Sequence, residues 1–108
     1  MTLSEQIVQD IESTPIILYM KGTRERPMCG FSAAVVQVLN QYGVEYKAVD
    51  ILPDPEIRMR LSEYSNWPTI PQLFVDGELI GGADITVELH NKGELLPVLE
   101  RAVAVSED

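Results

Sequence analysis

A chain of 108 residues, 45% of them apolar, has the length of one domain and enough hydrophobic side chains to bury a core, so a single domain over residues 1–108 is expected. Its 17 acidic against 8 basic side chains leave a net charge of −9, which repels phosphate backbones and argues against nucleic acid as a partner. One cysteine excludes an internal disulfide, and no apolar run approaches the ~20 residues of a spanning helix.

The opening Met-Thr-Leu-Ser-Glu-Gln has neither the cationic and apolar regions of a secretory signal nor the Arg-rich character of a transit peptide. With the lone thiol, this points to a reducing cytoplasmic location, or to an organelle reached with a presequence since removed. Ser4 is the expected cap of a first helix whose apolar stripe is Leu3, Ile7, Val8 and Ile11. Ser13-Thr14-Pro15 breaks it, and the β-branched run Ile16 to Met20 reads as a buried strand.

Lys21 to Ser32 follows and contains Cys29. Behind it Phe31, Val35, Val38, Leu39 and Tyr42 share one helical face, with Gly43 suited to the helix end. Cys29 therefore stands between a strand end and a helix start, where unpaired backbone N–H groups and the positive end of the helix dipole favour thiolate. Lys21, Arg24 and Arg26 add cations to the same loop, as a site for a small anion or as a solvated cluster. A lone cysteine usually packs as a small apolar residue. Pro27 and Gly30 instead place this one on a sharply turning loop, which favours a reactive role.

Glu45 to Ile51 reads as a second strand, parallel to the first because a helix joins them. Asp54 as cap, Pro55 in the first helical position and Glu56 begin a helix with Ile57, Leu61 and Tyr64 inward and Arg58 and Arg60 elsewhere. Gln72 to Val75, Asp76-Gly77 and Glu78 to Ile80 make a hairpin around a favoured turn pair. Gly81-Gly82 permits close backbone approach, and Asp84 is the expected cap of a helix to Lys92 that Gly93 terminates. His90 reads as an exposed residue of its last turn, where cations are favoured, and not as a metal ligand. A final helix, Leu95 to about Val105, should direct Leu96, Leu99 and Val103 inward. The order of elements makes an α/β fold: one mixed four-stranded sheet with helices on both faces and a ligand site at the strand ends beside Cys29.

Four motifs in order, Lys21-Gly22, Cys29-Gly30-Phe31-Ser32, Trp67-Pro68-Thr69-Ile70-Pro71 and Gly81-Gly82-Ala83-Asp84, resemble a monothiol glutaredoxin of the Cys-Gly-Phe-Ser type across nearly the whole chain. The resemblance implies a thioredoxin-like fold, a cis Pro71, and glutathione held beside Cys29 by Lys21, Arg58, Ile70, Ala83 and Asp84. Chemistry supports each assignment: Lys21 and Arg58 suit the glycine carboxylate, Asp84 the γ-glutamyl end, and the helix start its α-carboxylate. A cis Pro71 would turn the Ile70 N–H and C=O toward the tripeptide backbone. Trp67 reads as packing.

Two functions are implied. As a redox nucleophile, Cys29 attacks a glutathione mixed disulfide and a second glutathione resolves the product. As an iron–sulfur carrier, the protein holds a 2Fe-2S cluster between two chains, two Cys29 thiolates and two glutathiones completing the four ligands. The resemblance favours the second, in iron–sulfur protein assembly and iron homeostasis, with apo iron–sulfur proteins and a BolA-like protein as further partners. Some members carry a second cysteine at the position of Ala83; its absence excludes an internal resolving thiol.

Overall fold

The computed structural model describes residues 1–107, with side chains through residue 103. Nine elements follow in chain order: α1 (Leu3–Ser13), β1 (Ile16–Met20), α2 (Gly30–Tyr42), β2 (Lys47–Asp50), α3 (Pro55–Ser65), β3 (Gln72–Val75), β4 (Glu78–Gly81), α4 (Ala83–Asn91) and α5 (Leu95–Glu107). The strands form one sheet in the order β2-β1-β3-β4. β2 is parallel to β1, while β3 is antiparallel to both β1 and β4, so the sheet is mixed as expected.

β1 explains why both faces are covered. Its five residues are all buried, and they alternate between two cores. Ile16, Leu18 and Met20 join Leu73, Val75, Val35, Leu39, Leu95 and Leu99 on the side of α2, α4 and α5. Ile17 and Tyr19 join Phe74, Ile7, Ile11 and Leu61 on the side of α1 and α3. The Tyr19 and Phe74 rings meet edge to face at 6.0 Å, which anchors that second core.

Several local expectations shift. α1 is capped by Thr2, not Ser4: Thr2 Oγ1 accepts the Glu5 N–H, and Glu5 reaches back to the Thr2 N–H, a capping box. α2 turns Phe31 outward, 63% exposed, and buries Ser32 and Val36 instead. Tyr64 is 43% exposed, with its ring tilted against Phe74. α5 directs Leu99 inward and packs Val103 partly buried against the core as expected, but it also buries Leu95 and Ala102 and leaves Leu96 exposed. It also continues past Val105 to Glu107. α4 begins on Gly82, so Asp84 lies within its first turn and is not the cap. At Gly81, φ is +142° and a Cβ would stand 2.8 Å from Ile85 Cδ1, so α4 closes tightly onto the end of β4.

His90 is half-buried and bonds through Nδ1 to the Tyr42 hydroxyl, with the two rings edge to face. It fastens the far ends of α2 and α4 together and is not the exposed residue that its position suggested. No helix among the described residues is long and apolar enough to cross a membrane.

Candidate functional site

The sheet register brings three distant segments to one edge. β1 pairs antiparallel with β3 through Leu18–Leu73 and Tyr19–Gln72, so the end of β1 lies beside the start of β3. β3 in turn pairs Leu73 with Gly81, so the end of β4 arrives at the same place. Lys21 follows β1, Pro71 precedes β3, and Gly82 follows β4; the start of α2 presents Cys29 to the same point. A cavity of about 390 Å³ opens there. Lys21, Cys29, Arg58, Ile70, Ala83 and Asp84 all line it, although they come from five parts of the chain. The Ile70–Pro71 peptide bond is cis.

Cys29 is the N-cap of α2 in extended conformation (φ −154°, ψ 137°), half-buried and free of any disulfide. Its side chain makes no capping bond, so the first N–H groups of α2 keep no side-chain acceptor at the helix start that carries the sulfur. The Ser32 backbone N–H is the main cause that holds the thiol below its ordinary pKa. Slight burial opposes it, while the Phe31 N–H, the Ser32 hydroxyl and the Lys21 charge assist. The thiolate is therefore favoured by backbone groups first and by side-chain charge only last.

The loop cations divide. Lys21 lines the cavity. Arg24 turns away: its guanidinium donates to the Tyr46 carbonyl at 2.8 Å and lies 4.4 Å over the Tyr46 ring. Arg26 is exposed on a tight turn closed by Thr23 N–H to Arg26 C=O and the reverse. Neither arginine is among the residues that lower the Cys29 pKa, which corrects the expectation of a three-cation cluster around the thiol.

The opposite wall comes from the segment before β3. Gln72, fully buried, donates through Nε2 to the Trp67 carbonyl at 2.9 Å and the Thr69 carbonyl at 3.1 Å, which fixes the approach to Pro71. Trp67 and Thr69 both face the cavity, so Trp67 is a wall as well as packing. Its Nε1–H is buried without an acceptor among the described residues and lies 3.5 Å from where a Gly82 Cβ would stand. Phe31 was missed as a lining residue because helical periodicity assigned it inward; its place two residues after Cys29 was the available signal.

The α4 start completes the cavity. Gly82 supplies no side-chain cap, so the first N–H groups of the helix remain for a ligand, with Ala83 and Asp84 alongside. One thiolate-prone sulfur, two cations, an acidic side chain and two uncapped helix starts thus surround a space of small-peptide size.

The glutaredoxin family model matches residues 16–80, β1 through most of β4. The chain belongs to the glutaredoxin family. This glutaredoxin is 50% identical over 99 residues to a monothiol glutaredoxin of Synechocystis described as uncharacterised and ycf64-like, with 92% of each chain covered. Reduced apo GrxS14 from poplar superposes with a TM-score of 0.83 at 44% identity, covering 95% of this chain and 94% of that one. A buckwheat glutaredoxin–glutathione complex superposes at 0.82 with 26% identity, covering 94% of this glutaredoxin and 91% of the buckwheat chain. The thioredoxin-like fold and the single thiol of a monothiol glutaredoxin agree with these relatives.

Proposed function

We propose that this glutaredoxin binds glutathione in the Cys29 cavity and, as a homodimer, carries a 2Fe-2S cluster as cargo for apo iron–sulfur proteins. The observation that carries the reading is the convergence of Cys29, Lys21, Arg58, Ile70, Ala83 and Asp84 on one cavity. Glutathione has two carboxylates, one ammonium and a peptide backbone. Lys21 and Arg58 pair with the glycine carboxylate, Ile70 offers its backbone as a strand partner, and Ala83 and Asp84 at the α4 start receive the γ-glutamyl end. The buckwheat glutaredoxin–glutathione complex supports glutathione as the ligand.

The cluster follows from ligand arithmetic. Four ligands, usually thiolates, hold such a cluster, and this chain has one cysteine. A second chain supplies a second thiolate, and the glutathione sulfur beside each Cys29 supplies the other two. Cys29 suits the role because it is already thiolate-prone and half-exposed at the cavity mouth. A BolA-like protein replacing one copy is the heteromeric form of the same arrangement.

A second reading rests on the same lowered thiol pKa. The Cys29 thiolate attacks the glutathione-bearing disulfide of a client, forms a Cys29–glutathione disulfide and releases the client thiolate; a second glutathione then releases glutathione disulfide. With alanine at position 83, turnover depends wholly on external glutathione, so weak activity is expected.

Anaerobic reconstitution with iron and sulfide, followed by absorption spectrum, glutathione count and native mass, tests the reading. The expected product is one cluster and two glutathiones per dimer. A stable cluster in a monomer, or in a dimer stripped of glutathione and other small thiols, would sink it. Mixed-disulfide turnover matching a dithiol glutaredoxin would favour the second reading.

A further inference from the structure

Two consecutive amides at the root of the Cys29 loop are held by acceptors from two different elements. The Lys21 N–H donates to Ser32 Oγ at 3.1 Å, and the Gly22 N–H donates to Asp50 Oδ1 at 2.9 Å. Ser32 is fully buried near the start of α2. Asp50 ends β2, and the same oxygen also accepts the Leu52 N–H at 3.0 Å. The two amides flank the Lys21 Cα. Fixing the peptide group before it and the one after it fixes both backbone torsions of Lys21, and so the direction in which its side chain leaves the chain.

These bonds are not needed to close the loop. Thr23 and Arg26 close its tip through their backbones, and the Met28 N–H returns to the Lys21 carbonyl at 2.9 Å. Gly22 adds its own constraint: φ is +91°, and a Cβ there would stand 2.5 Å from the Arg26 carbonyl oxygen and 2.6 Å from the Met28 nitrogen. The same two peptide groups are also held at their carbonyls, Met20 C=O by the Ile51 N–H at 3.0 Å and Lys21 C=O by the Met28 N–H, so the bonds to Ser32 and Asp50 complete the grip on both sides of Lys21 and tie it to α2 and β2.

We propose that Ser32 and Asp50 form a two-acceptor clamp that aims the Lys21 ammonium at the glycine carboxylate of glutathione. Both are then positioning residues that set specificity for the tripeptide's charged end, although neither lines the cavity. This role rests on the glutathione reading above. It also gives Ser32 a task in a family member that has no second thiol: one side chain assists the Cys29 thiolate and holds the Lys21 backbone.

The test compares two ligands on one thiol. Reduced protein is equilibrated with glutathione disulfide, and separately with the disulfide of the glycine-amide analogue, whose end is neutral. Each exchange forms one protein–S–S–ligand bond and releases one ligand thiolate, and intact mass gives the bound fraction. The ratio of the two equilibrium constants cancels any change in the Cys29 thiol itself. Wild-type protein should favour glutathione by about tenfold or more, since Lys21 and Arg58 each make a charge-assisted contact with the carboxylate. Lys21→Ala should lower the ratio by about tenfold, and Asp50→Ala and Ser32→Ala by about threefold or more. Asp50→Asn, which keeps an acceptor oxygen, should retain it.

A wild-type ratio near one overturns the carboxylate reading, and this role with it. A selective wild type whose folded Asp50→Ala and Ser32→Ala variants stay equally selective overturns the clamp alone. An Asp50→Asn as unselective as Asp50→Ala also overturns it, since charge and not the hydrogen bond would then matter. Circular dichroism checks the fold; if Asp50→Ala does not fold, Ser32→Ala and Asp50→Asn decide.

Discussion

Four helix starts of this glutaredoxin, those of α1 to α4, fall into two kinds. α1 and α3 begin on side chains that satisfy their own amides: Thr2 accepts the Glu5 N–H, and Asp54 accepts the Glu56 N–H at 3.0 Å. α2 and α4 begin on Cys29 and Gly82, and neither start has a side-chain cap. The first pair stabilises the fold where no ligand is expected; the second pair meets at the cavity. Leaving those N–H groups unsatisfied costs stability that a cap would have supplied, and it makes them available to a thiolate at one helix and a carboxylate at the other. The fold thus stays least complete at the cavity where glutathione is proposed to bind.

The sharpest test of that division is Cys29→Ser, expected to abolish both cluster assembly and mixed-disulfide formation while leaving the melting temperature close to wild type. Serine at an N-cap position is an ordinary cap, so the helix should not suffer. A cluster retained in this variant, seen by absorption after reconstitution, would break the comparison at its functional side.

Lys21→Ala or Arg58→Ala should weaken glutathione-dependent cluster loading by about 1.5 to 3 kcal/mol, the range of a well-formed charge-assisted contact. Raising glutathione should restore part of the loading by mass action, which a titration at increasing glutathione would show. A loss that no glutathione concentration relieves would place these residues in the fold and not in the site.

Thr2→Ala should cost about 1 kcal/mol of stability, the usual value of a lost cap, read as a fall in melting temperature. Glutathione binding and Cys29 reactivity should not move, because α1 packs with α3 on the sheet face of the second core, and none of its residues lines the cavity. A shift in either would show the two kinds of helix start to be coupled.

The smallest effect concerns pH. Folding lowers the Cys29 pKa, so iodoacetamide should alkylate it half-maximally at a lower pH than the same thiol in denaturant. The unfolded chain then binds a proton that the folded chain has released. This group's contribution to stability therefore rises with pH between the lowered value and the ordinary thiol value, and fades as pH falls through the lowered one. Alkylation curves that coincide would remove the helix-start argument for Cys29.

Much of the fold was legible because its cues are local. The five apolar residues of β1, the Asp54-Pro55-Glu56 start of α3 and the Asp76-Gly77 turn each act through their own neighbours. The α1 cap was legible too, since Thr2 and Glu5 have capping-box spacing, but Ser4, two residues on, competed for the same role. α5 shows the opposite case: Leu95, Leu96, Val98, Leu99, Ala102 and Val103 offer two neighbouring stripes, and only contact with α4, β1 and β3 buries Leu95, Leu99 and Ala102 fully while leaving Leu96 outside.

Of the candidate site, Cys29 before a helix start was legible from local chemistry, whereas Lys21, Arg58, Ile70, Ala83 and Asp84 were named through the resemblance to the glutaredoxin motifs. Their assembly was not legible locally. Lys21, Arg58, Ile70 and Asp84 share one cavity only because β3 runs antiparallel between β1 and β4, and no local rule sets that register. The fates of Arg24, Phe31, Ser32 and His90 were likewise decided by partners far along the chain: the Tyr46 ring and carbonyl, the open cavity, the Lys21 amide and the Tyr42 hydroxyl. Propensity and capping act over a few residues and are written in the sequence, whereas which face a side chain presents, and to whom, depends on contacts that exist only once the sheet has brought distant segments together.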